Sequence, residues 1–425
     1  MSNSYCTEII ALFLILVTIG MIIIIVFTFK DSTDGFKNLI SFESVDNDKD
    51  FEITFKNKKN NRLEFNIIKN KGKISLTVPT YESISNTLKK RGLVITATGK
   101  KYRYVTGLYM NIYCIRKLYK STIPIEIIYV GKEEKFSPKF IKLLDDLDVK
   151  VYDLLDRLDT KLPLKKLKGY RSKPLALLAS SFEEAVLMDA DALSFRDPES
   201  FFEMDCYKKY GMVLFKDYVN CLHYINSKFL DTIGIGSENY CEKTDNFEID
   251  SSCVIINKKL AWEALYTICL INVESSAYYG RFTNNVLGDK DTWLIGSLFV
   301  DFDPFVISSD PGNLLYPTKN EEEVRAIFGH LQFDETNVPL YYNNQVIDIY
   351  KYNSRSLDGW GYTRSKNVKQ FQVWNSDFQQ ISKEMIQTFE FANKAVTLLV
   401  DEKIVKPLAN TGSYGLHPIV MKNFI

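Results

Sequence analysis

Between Gly92 and Asp191 short apolar runs alternate with amphipathic stretches, and that alternation most limits what the chain can fold into. Gly92–Thr98 (GLVITAT) is an apolar run bounded by glycines, the pattern of a buried parallel strand. Tyr102–Leu118 then places Val105, Leu108, Tyr109, Ile112, Ile115 and Leu118 on one helical face. Pro124–Val130 is a second strand, and Ser137-Pro138 opens a helix with an N-cap and a proline in its first turn. Val149–Tyr152 reads as a third strand, Lys173–Phe182 as a helix and Ala185–Met188 as a fourth strand. Such alternation builds a mostly parallel α/β sheet. Ligands of these sheets bind at the carboxyl ends of the strands, so chemistry is expected just after Thr98, Val130 and Met188.

The rest of the composition narrows the function. Lys+Arg and Asp+Glu both number 53, so there is no basic excess of the kind that marks a nucleic-acid binder. Hydrophobic residues make up 46%, enough for a substantial core. Only three histidines occur, which excludes a His-cluster metal centre, and the seven cysteines include no C-x-x-C pair. Cys206, Cys221 and Cys241 lie in irregular segments and are the better disulfide candidates, whereas Cys114, Cys253 and Cys269 sit on apolar faces.

Five segments are expected: a tail at 1–8, a transmembrane anchor at 9–29, a stem or small β appendage at 30–88, a catalytic domain at 89–350 and a partly helical C-terminal extension at 351–425. The anchor rests on Ile9–Phe29, 21 residues without a charge. As a helix these span roughly 31 Å, the thickness of a bilayer core. The flanking sequences lack the basic start and small-residue cut of a cleaved signal peptide. Lys30 and Lys37, both C-terminal to the run, lean toward a cytosolic catalytic half by the positive-inside rule, although long domains often cross despite such a bias.

The most informative stretch is Glu184–Phe202 (EAVLMDADALSFRDPESFF). Strand period puts Asp189 and Asp191 on the same side of the chain as it leaves the sheet. Two such carboxylates suit a divalent cation that also takes phosphate oxygens. Arg196-Asp197-Pro198-Glu199 then reads as a capped, sharp entry into a short helix.

Five blocks, in order, resemble the fungal Golgi α-mannosyltransferases that form α-1,2 and α-1,3 linkages. They are RGLVITATG from Arg91, LYKSTIPIEIIYVG, YRSKPLALLASSFEEAVLMDADALSFRDPESFF, EIDSSCVIINKK and LGDKDTW. The resemblance implies a GT-A-like fold and a retaining, metal-dependent transfer of mannose from GDP-mannose to a mannose-terminated glycan on protein. It also implies Mn²⁺ or another divalent cation, and a single-pass type II protein of the Golgi membrane with a lumenal catalytic domain. Other implied possibilities are another nucleotide sugar on the same scaffold, or a non-catalytic glycan-binding relative.

Carried over by position, the resemblance assigns metal binding to Asp189 and Asp191, with Asp189 also reaching the donor and His330 as a further candidate ligand. Donor contacts fall to Arg91, Thr96, Gly99, Lys173 and Lys290. Asp250, Asp289 and Asp291 are the catalytic candidates, Asp250 foremost as nucleophile of a double displacement. A front-face attack would need no nucleophile, and both routes stay open. Two positions depart from the family pattern. Its E-S-G appears as Asp250-Ser251-Ser252, and its late histidine is replaced near Asn343, where Asn343 or His330 would have to substitute.

Overall fold

The computed structural model describes residues 81, 85, 88–159, 164, 167–232, 234–273, 286–317, 329–343 and 379–405, together with backbone strands at 23–26, 40–44, 52–58, 62–68, 74–77, 323–326, 359–367, 370–373 and 418–420. The principal strands are β1 (Lys89–Thr96), β2 (Ile125–Tyr129), β3 (Val149–Asp153), β4 (Phe182–Asp189), β5 (Ala192–Ser194), β6 (Met212–Asn220), β7 (Phe247–Asn257), β8 (Phe305–Val306), β9 (Gly312–Pro317), β10 (His330–Phe333) and β11 (Pro339–Asn343). The principal helices are α1 (Tyr102–Tyr113), α2 (Pro138–Asp145), α3 (Ser172–Ala179), α4 (Trp262–Val273), α5 (Thr292–Leu298) and α6 (Lys383–Asp401).

Seven strands form the central sheet in the order β8-β6-β7-β4-β1-β2-β3. The run β4-β1-β2-β3 is parallel, as the alternation requires, while β7 lies antiparallel between β4 and β6. Strand period splits the apolar residues between two faces. Leu93, Ile95, Val186 and Met188 pack with α1, α2 and α6. Val94, Ala185 and Leu187 pack with α3, α4 and α5. Both faces are therefore covered, which explains why these strands read as continuous apolar runs.

Local signals are realised as expected at several ends. Ser137 accepts a hydrogen bond from the Phe140 amide with Pro138 in the first turn, and Asp197 caps the short helix at Pro198–Glu203. The expected helix to Leu118 instead changes to a π-turn at Cys114–Leu118. The helix expected to reach Phe182 stops at Ala179, because Phe182 already pairs in the sheet.

Directly after β4, strand β5 joins a second, antiparallel sheet. In it Ala192 pairs with Asn343, and Asn343 pairs with His330 on its other side. That sheet therefore holds the end of β4 against β10 and β11. Helix α6, part of the expected C-terminal extension, packs on the same core: Phe389 meets Phe195 edge-on, and Thr388 hydrogen-bonds Tyr119 at 2.6 Å. The strands within 30–88 belong to a separate six-stranded sheet that also takes in Leu158–Asp159. Of the expected anchor only Ile23–Val26 is described, as a strand paired with Ile40–Ser44, and the rest lies outside the described residues. No helix among the described residues is long and apolar enough to cross a membrane.

Candidate active site

Asp189 ends β4 in parallel register with Thr96 at the end of β1, so two expected site residues meet at the carboxyl edge of the sheet. Asp191, two residues on, lies against helix α1. A Cβ on Gly107 would stand 2.7 Å from the Ala190 carbonyl oxygen and 2.9 Å from the Asp191 Cα, so only glycine lets the helix approach this closely. One helical turn earlier, Arg103 reaches Asp191 with Nη2 2.5 Å from Oδ2. Gly99 is also sterically required: a Cβ there would lie 2.6 Å from the Lys135 carbonyl.

Lys173, in the first turn of α3, is the buried cation of the site. Its Nζ lies 2.7 Å from Asp189 Oδ1 and 3.5 Å from Asp289 Oδ1, and it donates to the carbonyl and hydroxyl oxygens of Ser251 at 3.0 and 3.1 Å. Burial pulls this ammonium down, but Asp189, Asp289 and Asp250 outweigh it and hold the pKa above its ordinary value. Burial, with the charges of Asp191 and Asp289, pushes Asp189 up to about 7 despite Lys173.

Asp250, on β7, is held by four contacts. Ser252 donates its amide to Oδ1 at 2.9 Å and its hydroxyl to Oδ2 at 2.7 Å; Gln332 Nε2 donates to Oδ2 at 2.9 Å; His330 Nδ1 lies 3.1 Å from the same oxygen. Burial opposes its ionisation, yet His330 and Ser252 hold the carboxyl well below the usual range. Within the departing Asp250-Ser251-Ser252 block the two changed residues fit one another, with the Ser252 hydroxyl bonded to the shorter acid. His330 in turn is held above its ordinary pKa: burial lowers it, but Asp250 and then Asp217 prevail.

Behind this lies a buried acid cluster. Lys290 Nζ is 2.7 Å from both Asp217 Oδ2 and Glu248 Oε2 and 4.0 Å from Asp291 Oδ2. Asp291 accepts from the Tyr240 hydroxyl at 2.7 Å and the Ile249 amide at 2.8 Å, and burial pushes it up to about 7. Asp289 accepts from the Trp293 indole at 3.0 Å. Neither acid caps α5 with its side chain.

Several expected placements change as a result. Arg91 lies near the start of β1, roughly 16 Å of extended chain from Thr96, and binds Glu203 at 2.8 Å and Glu184 at 3.4 Å. It supports the far end of the sheet. Lys290 faces acids instead of the mouth of the site, and Asp291 is fully buried. His330 joins Asp250 and Asp217; among the described residues no three His, Cys, Asp or Glu side chains are grouped to hold a metal ion. Arg103, Gly107, Asp217, Glu248 and Gln332 were not foreseen. The small Gly107 within an otherwise bulky helical face was the one signal available.

A metal-binding role for Asp189 and Asp191 is chemically consistent with this donor set. Both offer hard carboxylate oxygens, and Asn343, paired with the residue after Asp191, has a buried side-chain oxygen with no hydrogen-bond partner. Two carboxylates would leave further coordination positions for phosphate oxygens.

A family model described as "Mannosyltransferase putative" matches residues 90–337. The α-1,3-mannosyltransferase MNT3 of Saccharomyces cerevisiae is 24% identical over 271 residues, covering 55% of this chain and 41% of that protein. The α-1,2-mannosyltransferase MNN21 of Candida albicans is 33% identical over 138 residues, covering 31% of this chain and 20% of that protein. The chain thus spans less than half the length of either relative. Among solved structures, core-mannan synthase A of Aspergillus fumigatus in its Mn/GDP form superposes with a TM-score of 0.30 at 12% identity, covering 51% of this chain and 70% of that one. The galactosyltransferase LgtC, solved with donor and acceptor sugar analogues, gives 0.30 at 12% identity over 51% and 72%.

Proposed function

This chain belongs to the mannosyltransferase family, and we propose that it is a GT-A-like, metal-dependent glycosyltransferase that moves mannose from GDP-mannose onto a mannose-terminated glycan. The observation that carries this reading is the Asp189–Asp191 pair at the carboxyl edge of the sheet, opposite Thr96 and flanked by Lys173 and Arg103. Asp189 and Asp191 would hold the divalent cation, which would supply positive charge to offset that on the departing nucleotide.

The chain's own residues supply the rest. Lys173 fixes the orientation of Asp189 and anchors Ser251 of β7, so the sheet edge is held rigid where charge develops. Asp250 has both oxygens engaged, which favours a positioning role over attack on the sugar. A front-face, retaining transfer is the route consistent with that. Asp289, buried with Oδ1 toward Lys173 and Oδ2 accepting from the Trp293 indole, takes a positioning role behind Lys173.

A Golgi-lumenal, type II placement is part of the proposal. It draws support from the disulfide between Cys221 and Cys241, a bond that persists in oxidising compartments. The 9–29 run would provide the membrane anchor.

The test is nucleotide release from a panel of nucleotide sugars with mannose-terminated acceptors and Mn²⁺, using the Asp189→Ala/Asp191→Ala protein as blank. Turnover of GDP-mannose that vanishes in the blank is expected. Turnover of another nucleotide sugar would move the specificity, and none with any donor would overturn the reading.

A further inference from the structure

Two cations neutralise the Asp189–Asp191 pair, and they differ in how firmly they are held. Lys173 has a side chain only 7% exposed and is tied to Asp189 and twice to Ser251. Arg103 has a side chain 46% exposed, projects from the first turn of α1, and meets Asp191 at the rim. Asp191 itself is almost fully buried. A buried carboxylate without a counter-charge is strongly destabilising, so some cation must sit beside it in every state. The planar guanidinium is matched equally to carboxylate and to phosphate oxygens.

We propose that Arg103 is an exchangeable counter-cation: it occupies Asp191 until a divalent cation takes that carboxylate, and then turns to the diphosphate of the nucleotide. Arg103 thereby competes with the cation when nucleotide is absent and favours it when nucleotide is present. Cation and nucleotide then bind cooperatively, each strengthening the other by the same factor. Lys173 takes no part in the exchange, since leaving Asp189 would strand both Ser251 oxygens. The inference rests on the metal-dependent reading above and adds to it an order of events at one residue.

The experiment measures Mn²⁺ binding to the full chain by electron paramagnetic resonance, with and without GDP, for the unaltered protein, Arg103→Gln and Arg103→Lys. With GDP absent, Arg103→Gln is expected to bind Mn²⁺ about tenfold more tightly, as loss of a charge-assisted competitor dictates. The factor by which GDP tightens Mn²⁺ binding is expected to shrink in the same variant. Arg103→Lys, which keeps the charge without the fork, should fall between. Equal or weaker Mn²⁺ binding by Arg103→Gln without GDP would overturn the exchange while leaving the metal site standing. Failure of the unaltered protein to bind Mn²⁺, even with GDP, would overturn the metal reading and the exchange together. A single cooperative melting transition in each variant, lowered for Arg103→Gln without Mn²⁺ and recovered when Mn²⁺ is added, separates these outcomes from misfolding.

Discussion

His330 Nδ1 lies 3.1 Å from Asp250 Oδ2, and each group favours the charged form of the other: the carboxyl is held below its usual range and the imidazole above its ordinary pKa. The same carboxylate oxygen also takes hydrogen bonds from Ser252 and Gln332, so little of its basicity is left for an incoming sugar. Asp250→Asn should therefore cost about 1–3 kcal/mol of stability, the consequence of disturbing buried hydrogen bonds from Ser252, Gln332 and His330. Some turnover should survive, with no glycosyl adduct on Asp250 when the unaltered protein is trapped with a slow donor analogue. Mass-spectrometric capture of that adduct would restore Asp250 as a nucleophile.

Gly107 is where helix α1 touches the backbone of the acidic pair. Gly107→Ala places a methyl group against main-chain atoms that cannot rotate aside. A loss of about 1–3 kcal/mol is expected, with a larger fall in kcat than in donor affinity as Asp191 is displaced. Urea unfolding alongside kinetics checks both. An unperturbed kcat would show that the approach of α1 does not set the position of Asp191.

Lys258 directly follows the apolar strand β7 and is buried, with Nζ donating to the carbonyl and hydroxyl of Ser180 just after α3, both at 2.9 Å. Burial lowers its pKa to about 7, against an ordinary value near 10.5. Below pH 7 both folded and unfolded chains carry the proton. Between about 7 and 10.5 the unfolded chain binds more protons, so this residue's contribution to stability rises with pH. Urea midpoints at pH 6, 8 and 9.5 should rise more steeply for the unaltered protein than for Lys258→Met. Parallel curves would show that Lys258 stays charged.

Cys221 and Cys241 close a loop with a sequence separation of 20 residues, and that loop carries Tyr224, whose ring covers Lys290 with Nζ 5.0 Å from the centroid. Replacing both cysteines by serine should cost about 3 kcal/mol, read as a lower denaturant midpoint. Because Tyr224 rests on the acid cluster, donor turnover should fall as well. A protein equally stable and active without the bond would place the loop outside the site's support.

What could be read in advance was what period and spacing encode. The parallel strands β1, β2 and β4 stood out because their central residues are buried on both faces, and Asp189–Asp191 because a strand of period two ends there. Arg91 is the third residue of an eight-residue strand, five residues before its carboxyl end, and its guanidinium is engaged by Glu184 and Glu203. The acid cluster around Lys290 was illegible because Asp217, Glu248 and Asp291 come from three separate segments, and no local pattern announces their convergence. Arg103 looked like an ordinary polar residue on an amphipathic helix. Only the approach allowed by Gly107 turns it toward Asp191.

The packing of α6 against α1 and Phe195 has a consequence for how the molecule is made. During synthesis the strands and the acidic pair emerge early, but the side of the first helix that carries Tyr113 stays uncovered until residues 383–401 have left the ribosome. A chain stopped at residue 350 would contain every acidic residue of the site and still lack the surface that closes its core. Closure of the core thus waits on residues 383–401, and products truncated before them should be recognised as unfinished by whatever inspects exposed apolar surface.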